Sequence, residues 1–313
     1  MTKRRKVVKT ATKRPASTRT PTRKRKRAAA RAVKRPPAGR QALTRAMATA
    51  TNPKRSALER IAAIAQVPGA ICQPDNLEAM LKVLRDRSEA IAVRLAALQA
   101  LQAASFAVVA FESCRGQYMA ALRAVATDPD PELRQRVLGI LAREKDGFAE
   151  KKLLEGLQHP EKALLSPEKA LQLLSYDPHT SAYPVARAIV ANPPNEVAKR
   201  EALRLLAADA ASAPLFESVL RDKTQSTEIR QVSAAALNAI DPARYQAHAR
   251  EMVLDVGESD EVQTTSLTAL TEFGNLETVT DDEQLKKRVD DLRGGGTKES
   301  PDAARRFLAK YQR

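Results

Sequence analysis

The run Asp128-Pro129-Asp130-Pro131 constrains this chain most, because two prolines in four residues forbid one continuous helix through it. Helical periodicity is clear on both sides. Leu122 and Val125 share a face on a segment that ends near Thr127. Leu133, Val137 and Leu141 share a face on the segment from Glu132 onward, with spacings of four and four. Asp130 suits an N-cap, and Pro131 suits the first helical turn, where its missing N–H costs nothing. Neither helix buries its apolar stripe alone, so a helix–break–helix unit of this kind requires neighbours like itself.

Similar units recur. Asp86 closes one helix, and Ser88 precedes another that carries Val93-Arg94, Ile91, Leu95 and Leu98. Asp222 stands before Ser226, Ile229-Arg230, Ser233, Ala236 and Ile240, and Asp255 before Ser259, Val262-Gln263, Ser266, Ala269 and Phe273. The steps from Arg94 to Arg134, Arg230 and Gln263 suit a period of roughly 30–40 residues, with further copies in the long gap. An aspartate, a short gap, an aliphatic-arginine pair and an alanine-rich helix together resemble the HEAT repeat family over most of residues 75–275. That resemblance implies an all-α solenoid of about six helical pairs. Gln263 replaces the arginine, and residues 150–210 match poorly. In this reading Asp86, Asp128 and Asp222 cap turns, while Arg94, Arg134 and Arg230 meet such aspartates or carbonyls in a ladder between units.

The remaining segments extend the same pattern. The folded part is expected to span 53–313, starting at Asn52-Pro53, with Leu58, Ile61, Ala62 and Ala65 lining a helix up to Pro68-Gly69. Asp75 with Glu78, and Thr280 with Glu283, read as capping boxes. Phe106, Val108, Val109 and Phe111 read as a helix buried between repeats. The segment from Ser300-Pro301, with Ala304, Phe307, Leu308 and Tyr311, reads as the cap on the last unit. No period-2 alternation appears, and no apolar run approaches the ~18 residues that span a bilayer.

Charge divides the chain sharply. Residues 1–60 carry 21 Lys and Arg against Glu59 alone, whereas the rest carries 32 basic and 36 acidic side chains. Residues 1–52 are also poor in large apolar side chains, so they are expected to form a disordered tail. The clusters Lys3-Arg4-Arg5-Lys6 and Arg23-Lys24-Arg25-Lys26-Arg27, with Lys34-Arg35, suit contact with DNA or RNA through counterion release. No aromatic interleaves them, so base stacking and sequence discrimination are not expected. The composition resembles the tails of linker histones. A nuclear address, an organelle transit peptide, an anionic-membrane contact and a solubilising tail are the competing readings of the same residues. A second bias lies in residues 251–291, with twelve acidic and three basic side chains, to which the tail could fold back.

Chemistry-bearing constellations are sparse. His159, His179 and His248 show no ligand spacing, unlike the repeated His-Glu pairs that hold iron in the HEAT-repeat deoxyhypusine hydroxylases. Aromatics are 4% of the chain with no tryptophan, which disfavours the lesion-cupping surface of HEAT-like DNA glycosylases. Phycobilin lyases also use such repeats, but nothing in this sequence marks a bilin site. Cys72 and Cys114 have no metal-like spacing and read as small hydrophobes of a reducing compartment. The expectation is a non-enzymatic intracellular adaptor of the cytoplasm or nucleoid (or of the nucleus in a eukaryote), without metal or cofactor. Its solenoid binds a protein partner and its tail binds nucleic acid. The alternatives are a purely protein-binding scaffold and a solenoid enzyme acting on nucleic acid or on a protein modification.

Overall fold

A computed structural model describes residues 38–178, 180–295 and 300–311. The chain divides into two units, residues 1–41 and 42–313; of the first, only 38–41 are described, as the opening turn of a helix. The described residues are helical without strand, as the 3.6-residue apolar period requires.

Seven helical pairs follow one another from residue 74 onward. The helices are α1 (Ala38–Ala50), α2 (Ala57–Ile64), α3 (Pro74–Arg85), α4 (Ile91–Ser105), α5 (Val108–Val125) and α6 (Pro131–Arg143). Next come α7 (Gly147–Gln158), α8 (Pro167–Leu174), α9 (Tyr183–Ala191), α10 (Glu196–Leu206), α11 (Ala213–Arg221) and α12 (Thr227–Ile240). The series closes with α13 (Pro242–Leu254), α14 (Asp260–Phe273), the short α15 (Leu276–Thr280), α16 (Glu283–Gly294) and α17 (Ser300–Tyr311). Each pair joins a first helix to a second: α3 to α4, α5 to α6, and so on to α13 with α14 and α16 with α17. The second helices α2, α4, α6, α8, α10, α12, α14 and α17 stack in sequence order, which makes one layer. The seven pairs agree with the about six expected, and α8 and α10 carry Ala170 and Lys199 where the signature arginine would stand, which is why residues 150–210 match the signature poorly.

The local chemistry explains the breaks. Asp130 accepts the Leu133 N–H at 2.8 Å and Pro131 opens α6, so the cap and the proline act together. Leu133, Val137 and Leu141 are then fully buried. An aspartate accepting the N–H two residues on recurs at Asp86, Asp128, Asp146, Asp209, Asp222 and Asp255, at 2.8–3.2 Å. This Asx turn supplies a bend that competes with continued helix. Between α6 and α7 the turn passes through Lys145 at φ 55°, while the Asp146 N–H reaches back to the Leu141 carbonyl at 3.0 Å.

Several expectations are corrected. The packed part begins before Asn52, since Ala46, Met47 and Ala50 on α1 are buried. Leu58 is 81% exposed, and α2 instead turns Arg60, Ala63 and Ile64 inward behind a Ser56–Glu59 capping box. The run after Ser105 is no buried helix: Phe106, Val108 and Val109 are exposed at the α4–α5 turn, and only Phe111 is packed. There the chain must reverse, and no described helix covers the turn. Gln73 and Pro74, instead of an Asp75 box, open α3; Asp282, instead of Thr280, caps α16. Phe273 is exposed as well.

The last pair shields the apolar end. Ala303, Ala304, Phe307, Leu308 and Tyr311 of α17 are buried, and the Tyr311 hydroxyl donates to Leu270 O at 2.9 Å. A Cβ on Gly274 would lie 2.9 Å from that hydroxyl oxygen and closer still to Leu270 O, so only glycine permits this approach.

Candidate functional site

The eleven candidate nucleic-acid contacts, from Lys3 to Arg35, lie outside the described residues, as does His179. The ladder residues are described, and they reveal a rule of position. The fourth residue of a second helix faces the seam between units: Arg60, Arg94, Arg134, Ala170, Lys199, Arg230, Gln263 and Ala303.

Where that residue is a buried arginine, it is a two-way clamp. Nε of Arg60, Arg94 and Arg230 donates to Ala50, Leu84 and Leu220, ten residues back at the end of the preceding first helix, at 3.0, 3.0 and 2.8 Å. The other nitrogens reach forward to a carboxylate in the turn before the next second helix. Arg60 pairs with Glu89 at 2.5 Å, Arg94 with Asp128 at 2.6 Å and Arg230 with both oxygens of Glu258 at 2.7 and 2.5 Å. Burial raises the Asp128 carboxyl, but the Arg94 guanidinium and the Asp130 N–H more than offset it and hold the group below the usual carboxylate range. Glu258 is lowered by the same balance between burial and Arg230 with the Ser259 N–H.

Arg134 differs. It donates to the carbonyls of Leu164 at 2.6 Å and Asp128 at 2.7 Å, and pairs with no acid among the described residues. Asp86 and Asp222 form no part of these clamps; their exposed carboxylates serve their own turns. The Thr224 hydroxyl, the Gln225 amide and the Thr224 N–H hold Asp222 down to about 2. Arg60, Glu89 and Glu258 escape a search for aspartate-to-arginine spacing, because the acid varies in type and offset. A second set of ties, equally unforeseen, joins first helices: Arg123 to Asp146 at 2.6 Å, Arg187 to Asp209, and Arg250 to Asp282 at 2.5 Å. Position explains it, since each acid caps or precedes the next first helix.

One groove crosses the second-helix layer where the clamp chemistry weakens. It is about 360 Å³ and lies over α4, α6 and α8. Its floor is Leu98, Ile140 and Leu173, and Gly139 leaves its middle open: a Cβ there would meet nothing nearer than Arg143 Nη1 at 3.8 Å. Arg136, Arg143 and Lys169 supply its charge, and no carboxylate is among its lining residues. The Arg143 guanidinium lies 6.0 Å from the ring centre of the half-exposed Tyr176.

Other reactive groups are spoken for. His248 is buried between Glu217 at 3.0 Å and Glu251 at 3.3 Å, and Arg244 and Arg221 reach the same carboxylates. Cys114 Sγ lies 3.9 Å from the Cys72 carbonyl, and burial raises the Cys72 thiol. Among the described residues, no group of three or more His, Cys, Asp or Glu side chains is placed to hold a metal ion. No described helix is long and apolar enough to cross a membrane. Six of the twelve acidic side chains of residues 251–291 form ion pairs with described residues: Glu251, Asp255, Glu258, Asp282, Glu283 and Asp290.

No protein-family model and no curated protein matches the chain. Among solved structures, the chain is similar to the CpcE–CpcF complex of phycocyanin lyase from Nostoc sp. PCC7120. The identity is 13% and the TM-score 0.24, over 85% of this chain and 94% of that one. Because an enzyme complex is among the matches, the expectation of a non-enzymatic chain is withdrawn. At that TM-score no activity, substrate or partner passes from it to this chain.

Proposed function

We propose that the chain is a helical-repeat scaffold, resembling HEAT repeats, that binds a protein partner over its second-helix layer. Its arm, through Lys3–Lys6, Arg23–Arg27 and Lys34-Arg35, holds DNA or RNA without sequence preference. The observation that carries this reading is the division of charge. Residues 1–60 hold 21 basic side chains and one acid, while the rest holds 32 basic and 36 acidic. A polyanion is therefore drawn to the arm by counterion release, and the body is left for recognition by shape.

The test is an electrophoretic shift of duplex DNA and of RNA across a salt series. Full-length protein is compared with a full-length variant whose arm lysines and arginines from Lys3 to Arg35 are glutamine. The reading expects affinity to fall steeply with salt and to be lost in the variant by at least tenfold. Binding that survives neutralisation of the arm contradicts it.

A further inference from the structure

We propose that the groove over α4, α6 and α8 is the seat of an extended acidic peptide segment of the partner protein, an inference that rests on the scaffold reading. Its charge is the first ground. Outside residues 1–60 the chain has a small excess of acid, yet this groove presents Arg136, Arg143 and Lys169 with no carboxylate among its lining residues. Among the described residues, Lys169 Nζ meets the Gln172 side chain at 2.8 Å, and Arg143 meets the Tyr176 ring. Arg136 pairs with Glu132 one turn away at 2.6 Å, where both side chains are half exposed. Exposed pairs of this kind are weak, so a ligand carboxylate displaces Glu132 readily.

The neutral side chains separate a peptide from a nucleic acid. Gln99 and Gln102 stand one turn apart on α4, and Gln135 stands on α6. Each amide offers both a donor and an acceptor, which matches the alternating N–H and C=O of an extended backbone. A phosphodiester backbone only accepts, so half of that amide capacity would go unused. The floor of Leu98, Ile140 and Leu173 suits an aliphatic side chain between acids. Arg136 and Arg143 are seven residues apart on one helix. That is about 10 Å at the helical rise, between the ~7 Å and ~13 Å that separate same-face side chains two and four residues apart in an extended chain. The segment is therefore expected to carry acids two or four residues apart, on one face.

The experiment uses the full chain and three decamers: a Glu- and Leu-containing peptide with a benzophenone label, its Gln-for-Glu counterpart, and a labelled thymidine decanucleotide. Because the arm attracts anions too, the readout is the site of photo-attachment, mapped by mass spectrometry. The acidic peptide is expected to label α4, α6 and α8. That labelling should fall at least tenfold in R143E/K169E and in Gly139→Leu, and persist in the arm-neutralised variant. The Gly139 variant leaves every charge in place, and matched thermal melts exclude unfolding as the cause. Labelling confined to the arm, equal labelling by the Gln peptide, or labelling unchanged in R143E/K169E overturns the proposal. Equal groove labelling by the oligonucleotide overturns it in favour of a nucleic acid. The salt-dependent DNA shift responds to the arm alone, so failure of the groove and failure of the arm reading are told apart.

Discussion

The seam between α4 and α6 and the seam between α6 and α8 are built from the same position in the fold and closed by different chemistry. At the first, Arg94 joins Leu84 O to a buried carboxylate, Asp128, through charge-assisted hydrogen bonds. At the second, Arg134 finds, among the described residues, only the carbonyls of Leu164, Asp128 and Pro129, and the next fourth residue is Ala170, with no polar reach at all. Ion-pair clamps resume at Arg230 with Glu258. In the second-helix layer the stack is thus clamped at Arg60, Arg94 and Arg230 and unclamped from α6 to α10 and again at Gln263 and Ala303. The cationic groove spans the clamped α4–α6 seam and the unclamped α6–α8 seam. What holds helical pairs in register at the clamped seams is a side chain that spans three segments. Where it is missing between α6 and α8, apolar packing, the carbonyl bonds of Arg134 and the first-helix pair Arg123–Asp146 carry the seam, and a surface remains for a ligand.

The largest expected effect breaks a clamp. Arg94→Ala strands Asp128 as a buried unpaired carboxylate and is expected to cost about 3–5 kcal/mol in urea unfolding, with Arg230→Ala similar through Glu258. Arg134→Ala removes hydrogen bonds and strands no acid, so it is expected to cost about 2 kcal/mol. Equal costs at Arg94 and Arg134 would erase the distinction between the seams.

Acid sharpens the comparison. Asp128 and Glu258 titrate below their ordinary values in the folded protein. The stability they contribute is therefore present above the unfolded carboxylate range, about pH 4, and is lost as pH falls through the lowered folded values. The gap in stability between wild type and Asp128→Asn is expected to close as pH drops below about 4. A gap constant from pH 7 to 3 would place the effect elsewhere.

The smallest effect belongs to the groove. Arg143→Gln and Tyr176→Ala remove only an exposed cation–π contact and are expected to change stability by less than about 1 kcal/mol. A larger loss would make these side chains part of the seam instead of part of a free surface.

The helical pairs were legible because prolines and capping aspartates punctuate a 3.6-residue apolar period, as at Asp130-Pro131 and Asp241-Pro242. Periodicity fails at turns, where apolar residues have no face to belong to; Phe106, Val108 and Val109 are exposed for that reason. Where the signature residue is replaced, as at Ala170 and Lys199, the aliphatic-arginine pair no longer marks the unit, although its helices keep their punctuating prolines and apolar faces. Arg94 stood out from its aliphatic neighbour, but the acid opposite is set by three-dimensional reach. Glu89 and Glu258 fill the place that Asp128 fills, at separations of 29, 28 and 34 residues from their arginines. The groove was invisible in the sequence, since Gln102, Arg143 and Lys169 converge only once three units are stacked.

Native-state hydrogen exchange tests the central contrast most directly, because it reads local opening helix by helix. The account predicts that the buried amides of α8, Leu171 to Leu174, exchange at least tenfold faster than those of α4 around Leu98–Leu101 and of α12 around Ala234–Leu237. Uniform protection across the three helices, or slowest exchange in α8, would contradict it.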